Sequence, residues 1–400
     1  MHGFFFQSPT KFYFGRGAES HLGEALQAEG ASKVLIHVGQ HSVQRSGLLD
    51  RARQQLDAAK IPYVELAGAK PNPRSDLVEE GAALCRRENV DYILALGGGS
   101  CLDSAKAIAI LAKTDAKLFD IYMGKQPVSG ALPLATVMTL PATGSEASDS
   151  SVINFMKENK KLGYSSNLIR PRLAFLNPEL TYSLPRFQTF CGIADMMAHT
   201  MERYFNNTLG ADISNAWAEG LLREIIKNAY TLLHEPDNYD ARANIMWAST
   251  VAHNGLLGLG VEKEDWSSHQ LEHELSLRYD VAHGAGLAVI FPNWLRYAAL
   301  RNPGKIARFA REVFGIRGDM NDLHTWALRG IAALQRFFRD CGLPLTFEEL
   351  GARREDIPAL AANVRRSGRE KIGGYIAIGV EDFKAVFELC CGESLIGPKA

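Results

Sequence analysis

Residues Tyr92–Lys106 read YILALGGGSCLDSAK, an apolar run that passes through three consecutive glycines into a helical stretch. The residues before Gly97 are apolar at successive positions, as in a strand covered on both faces of a parallel sheet. Glycines let a backbone approach a ligand closely, and a helix starting directly after them presents unpaired N–H groups and the positive end of its dipole. A pyrophosphate suits such a turn; a tight structural turn is the competing explanation. The pattern is neither the Walker lysine motif nor GxGxxG. Asp103 falls in the first helical turn, where a carboxylate favours the dipole without any ligand.

Outward from this stretch the first half alternates short strands with helices. Strands are expected at Phe12–Phe14, Lys33–Val38, Tyr63–Leu66, Tyr92–Leu96, Leu134–Thr139 and Leu173–Phe175, and helices at Leu48–Ala59, Asp76–Glu88 and Ser100–Ala112. That order reads as α/β, a Rossmann-like dinucleotide-binding domain over residues 1–183. Past Pro185 the β-type signal fades. Helical periodicity runs through Asp212–Leu233, Asp240–Asn254, Arg301–Val313, Leu323–Cys341 and Val380–Leu389, so residues 184–400 read as an all-helical second domain.

Two further loops follow strands. Thr139–Ser151, TLPATGSEASDSS, offers the hydroxyls of Thr139, Thr143, Ser145 and Ser148, either to a ligand or as a capped Ser/Thr-rich turn. Gly39-Gln40-His41-Ser42 closes the strand at Val38, where a dinucleotide fold places the adenosine ribose. An acid there favours a free 2′-hydroxyl. This chain has none, and Gly39 leaves room while Gln40, His41 and Ser42 can donate to a 2′-phosphate.

The second half carries the histidines. Trp266–Gly284, WSSHQLEHELSLRYDVAHG, holds His269 and His273 four apart on one helical face, with His283 beyond Asp280 where one helix ends and another begins. Upstream, CGIADMMAHTME at Cys191–Glu202 repeats the spacing with Asp195 and His199. A lone histidine near a helix end is ordinarily just a hydrogen-bonding residue. Four histidines and an aspartate, with two such pairs in a chain having 11 histidines among 400 residues, point instead to a divalent metal with an open position. Spacing does not choose between Zn2+ and Fe2+.

Composition narrows the rest. With 46% apolar and 22% charged residues, a formal net charge of −1 and no long basic run, nucleic acid is excluded as a partner. No apolar run reaches the length of a membrane span, and the N-terminal MHGFFFQSPTKFYFG lacks the basic start of a signal peptide. The six cysteines, Cys85, Cys101, Cys191, Cys341, Cys390 and Cys391, show no CxxC pairing and read as reduced thiols of a cytoplasmic protein.

Taken together, GGGSCLDSAK, TLPATGSE, DMMAH and H-x13-H-G resemble the iron-containing, or group III, alcohol dehydrogenase family, related to glycerol dehydrogenase and dehydroquinate synthase. ADMMAHTMERY and DWSSHQLEHEL look most like its butanol dehydrogenase and NADPH-dependent aldehyde reductase branch. The resemblance implies metal ligands at Asp195, His199, His269 and His283, with His273 facing substrate as a proton-relay or positioning residue. It also implies cofactor contacts by Gly97, Gly98, Gly99, Ser100 and Asp103, by Thr139, Leu140, Thr143, Ser145 and Ser148, and by Asn72, Lys161 and Leu180. Members that prefer NAD carry an acid at the position of Gly39, so NADP(H) is expected here. The family's usual Asp-Pro is Asn177-Pro178 in this chain, a turn or cap. The implied reaction is reversible reduction of a small aldehyde with Fe2+ or Zn2+, by a homodimer, the proton running through His273 or a ribose hydroxyl. A polyol dehydrogenase of the glycerol type is the alternative within the fold. A lyase for phosphorylated sugar acids would gather Lys and Arg, whereas Met, Ala, Trp and Leu flank these positions. A non-enzymatic dinucleotide sensor would have shed the ligands this chain keeps.

Overall fold

A computed structural model describes residues 1–40, 42–365 and 367–397. The chain forms two compact units, Gln7–Leu184 and Pro185–Ala400, the latter also holding Met1–Phe6. The first six residues leave the α/β half because their backbone bonds lie elsewhere: the Met1 ammonium donates to Leu209 O (2.9 Å) and His2 N–H to Gly260 O (3.0 Å).

The first unit is built on β1 (Lys11–Phe14), β2 (Val34–Gly39), β3 (Tyr63–Ala69), β4 (Tyr92–Gly98), β5 (Leu134–Leu140), β6 (Ser150–Phe155), β7 (Lys160–Ser165) and β8 (Leu173–Leu176). Six of these make one sheet in the order β1-β8-β5-β4-β2-β3, with every neighbouring pair parallel. The chain leaves β2 towards β3, then returns to put β4 on the other side of β2. The strand order therefore reverses between β2 and β4, and the loops at their carboxyl ends flank the point where open α/β sheets bind ligands. Both strands slip register there, at Val38/Gly39 and at Gly97/Gly98.

All six expected strands lie in this sheet. The antiparallel hairpin β6–β7 falls outside that expectation; it turns through Asn159 at φ 50° and binds back through Asn154 N–H to Pro73 O (2.8 Å). Its residues alternate too irregularly between apolar and polar to be read as strands from periodicity alone.

The second unit is helical throughout its regular elements, and among the described residues no helix is long and apolar enough to cross a membrane. Its centre is the Arg186–Tyr204 helix, buried continuously from Thr189 to Tyr204. A helix enclosed on all sides must pair its polar side chains or place them at a site. Where a helix over Arg301–Val313 was expected, the observed one is Gly304–Phe314, displaced by Pro303 at its cap.

Candidate metal centre and dinucleotide loops

Three helices of the second unit meet around Asp195. Arg186–Tyr204 carries Asp195 and His199, Ser267–Tyr279 carries His269 and His273, and His283 opens the helix His283–Ala299. The first and third approach so closely that a Cβ on Gly284 would lie 1.9 Å from Cys191 O, so only glycine lets His283 reach Asp195.

The ring nitrogens converge on one carboxylate oxygen. His199 Nδ1, His283 Nε2 and His269 Nε2 lie 3.4, 3.7 and 3.9 Å from Asp195 Oδ1. A tetrahedral ion with bonds of about 2.1 Å separates its ligands by roughly 3.4 Å, so these spacings suit a cation beside Asp195. Asp195, His199 and His269 offer ligand atoms all within 4.8 Å of one another, while His283 forms a second such set with Glu272 and His273. Asp195, His199 and His269 are buried, and among the described residues His199 Nδ1 and His269 Nε2 make no hydrogen bond. Burial, with the neighbouring imidazoles and Arg203, drives the His199 pKa well down, leaving the neutral ring that binds metal. The residues present therefore fit a divalent ion.

His273 sits beside this set, its ring centroid 5.8 Å from that of His283. The indole of Trp266 lies against His269 (5.1 Å) and His199 (5.9 Å), on a backbone held at φ 62°. Three further residues of the site are not singled out by the histidine spacing. His253 stacks on His199 at 4.2 Å, and Glu202 and Glu272 contact His269 and His283. Glu202 and Glu272 each lie three residues past a proposed ligand on the same helix; that spacing was the available signal.

In the α/β unit, the glycine run has a packing reason beside any ligand. A Cβ on Gly98 would lie 3.1 Å from Leu140 Cβ, and one on Gly99 2.4 Å from Thr143 Oγ1, so the loops after β4 and β5 close on each other only with glycine. The helix Gly99–Leu111 starts with no side-chain cap, leaving the first-turn N–H groups of Gly99 and Ser100 for an anion. Thr139 and Leu140 end β5, half-buried. Asp103 accepts from Ser145 Oγ (2.7 Å) and Val152 N–H (2.9 Å), and burial pushes its carboxyl up. Ser148 receives the Nζ of Lys106 (3.2 Å). Ser145 and Ser148 thus hold the loop from within. Lys161 Nζ donates to Asn72 Oδ1 (3.2 Å), with Asn72 at φ 55°, and Leu180 packs against the sheet core. Gly39 ends β2 with exposed Gln40 and Ser42 beyond it, while His41 lies outside the described residues.

Comparison with known proteins shows the family of the chain. Residues 9–178 match the iron-containing alcohol dehydrogenase family, and residues 189–389 match the C-terminal part of the Fe-containing alcohol dehydrogenase family. The chain is 38% identical over 390 residues to NADH-dependent butanol dehydrogenase A of Clostridium acetobutylicum, spanning 97% of this chain and 99% of that one. It is 34% identical to the NADPH-dependent aldehyde reductase YqhD of Escherichia coli, over 97% of this chain and 99% of that one. The crystal structure of NADH-dependent butanol dehydrogenase A from Thermotoga maritima superposes with a TM-score of 0.94 at 36% identity, covering 98% of this chain and 99% of that one. The chain belongs to the iron-containing alcohol dehydrogenase family and is an NAD(P)-dependent oxidoreductase of the alcohol dehydrogenase and aldehyde reductase type.

Proposed function

We propose that this enzyme interconverts a small primary alcohol and its aldehyde, with butanol and butyraldehyde as representatives, and favours NADP(H) over NAD(H). Asp195, His199, His269 and His283 hold Fe2+ or Zn2+ in this reading. The observation that carries it is the convergence of three ring nitrogens within 3.9 Å of Asp195 Oδ1. With both groups bound, the ion held by these four residues would supply Lewis acidity for the carbonyl oxygen and the dinucleotide would supply the hydride chemistry.

The chain's own residues do the rest. His273, held beside His283, carries the proton that the alcohol hydroxyl gains or loses. The Trp266 indole keeps water from one flank of the imidazoles. First-turn amides of the helix Gly99–Leu111 hold the pyrophosphate. The relatives named above differ in cofactor, NADH for the butanol dehydrogenases and NADPH for YqhD. Gly39 supports the phosphorylated form, since neither it nor the adjoining described residues Gln40 and Ser42 repels a 2′-phosphate.

The test is NADPH oxidation with butyraldehyde by protein stripped with a chelator and reloaded with Fe2+ or Zn2+. Activity should return with metal and run slower with NADH. Stoichiometric metal without turnover on either dinucleotide would refute the reaction.

A further inference from the structure

Two buried carboxylates stand behind the centre, and neither is among its proposed ligands. Glu202 ends the same helix as Asp195 and His199 and is fully buried. It accepts the Trp266 N–H (2.7 Å), the His269 N–H (3.1 Å) and the His269 ring at Nδ1 (2.8 Å), together with the Ser268 hydroxyl. The first two donors are backbone groups at the start of the helix Ser267–Tyr279, whose own N-cap residue offers no side-chain acceptor. One carboxylate therefore caps that helix from a neighbouring one and grips its first histidine.

Glu272, fully buried on Ser267–Tyr279, repeats the arrangement one helix further on by accepting from His283 at Nδ1. Gly286 makes this possible: a Cβ there would lie 2.6 Å from Glu272 Oε1. Each contact sets the tautomer. With the proton on Nδ1 facing a carboxylate, Nε2 of His269 and of His283 presents its lone pair towards Asp195. His199 is held differently, stacked between the His253 ring (4.2 Å) and the His269 ring (4.8 Å).

We infer that Glu202 and Glu272 are positioning residues of the metal centre, each setting the tautomer, orientation and basicity of a histidine that a different helix contributes. The inference rests on the reading of Asp195, His199, His269 and His283 as a metal site. It adds that the site is wired helix to helix: the Asp195 helix orients His269, and the His269 helix orients His283.

The test is titration of chelator-stripped full-length protein with Co2+, following the cobalt absorption bands, for the parent, Glu202→Gln and Glu272→Gln. Glutamine keeps a carbonyl acceptor and the helix cap but removes the negative charge behind the ring. Each variant is expected to bind Co2+ about 10- to 100-fold more weakly and to show shifted bands, with an unchanged far-UV circular dichroism spectrum. Folded variants that keep the parent's Co2+ affinity and spectrum would overturn the inference while leaving the metal site in place. A parent that binds no Co2+ would overturn both. Glu272 meets the His283 ring rather than the first backbone groups of its own helix, so Glu272→Gln decides the matter even if Glu202→Gln fails to fold.

Discussion

His37, in β2, and His269, in the helical unit, are both buried imidazoles, and they differ in what the second ring nitrogen meets. His37 is finished: Nδ1 pairs with Leu66 O (3.1 Å) and Nε2 with Ser104 Oγ (3.0 Å). His269 is half finished, with Nδ1 on Glu202 (2.8 Å) and Nε2 without a hydrogen bond, 3.9 Å from Asp195 Oδ1. A buried polar atom left unpaired is unfavourable by about 1–3 kcal/mol, so a protein keeps one where something else completes it. His37 is completed from within its own unit, as a residue of a scaffold is. The helical unit leaves nitrogens open around Asp195, which is how a site for an ion differs from a polar core.

Lys106 tests the scaffold half of that comparison most severely. Its ammonium is fully buried and donates to the carbonyls of Ser145 (2.7 Å), Ser148 (2.9 Å) and Ser150 (2.9 Å). Burial pulls its pKa down to about 8, with the Asp103, Asp149 and Glu146 carboxylates opposing. Lys106→Met strips these acceptors and removes the positive charge that acts most on Asp103, so a destabilisation of about 4 kcal/mol is expected in urea unfolding followed by circular dichroism. Metal affinity should be unchanged. A loss below about 1 kcal/mol would mean that water replaces the ammonium and that the α/β unit is not closed in the sense drawn here.

Where the sequence was readable, the reason was periodicity. The inner strands β4, β5 and β8 declare themselves because strands buried on both faces show nearly unbroken apolar runs. The paired positions Asp195/His199 and His269/His273 declare themselves because helical spacing is local. What stayed hidden depends on contacts remote in sequence. His37 lies in the apolar run VLIHVG and His269 in a polar helix start, yet neither spelling says which ring has a second partner. Glu202 and Glu272 look like ordinary helix-face acids until the third dimension sets them against imidazoles 67 and 11 residues away. Lys106 left a clue that went unread: a lysine inside the apolar helix SCLDSAKAIAIL is either misplaced or clasped.

His37 sharpens the comparison through pH. Burial lowers its pKa to about 4 from the ordinary 6.5, against the opposing pull of Leu66 O. Between those values the unfolded chain binds a proton that the folded one refuses, so this contribution is intact above pH 6.5 and is lost as the pH falls towards 4. The span corresponds to about 3 kcal/mol. Contributions from other groups cancel when the parent is compared with His37→Gln. Urea-unfolding free energies measured from neutral pH down to pH 4 should fall more steeply for the parent by that amount. Parallel curves would show that His37 takes up its proton in the folded state, and the sheet core would then be as open as the centre.

Gly39 is where a scaffold can be retuned at little structural expense, and its effect is the smallest. It ends β2 at the point where the strand order reverses, outside the closed network around Lys106 and His37. A Cβ there would meet only Ala69 O, at 3.6 Å, an ordinary contact, so Gly39→Asp should fold like the parent. The new carboxylate would repel a 2′-phosphate and accept from a free 2′-hydroxyl. The ratio of kcat/KM for NADPH to that for NADH should drop about tenfold, equivalent to about 1.4 kcal/mol, with metal content and unfolding midpoint unchanged. An unaltered ratio would place discrimination elsewhere in the β2 loop. A shifted ratio bought with lost stability would mean that the closed scaffold extends to the loop itself, and the boundary between finished core and adjustable site would have to be redrawn inside β2.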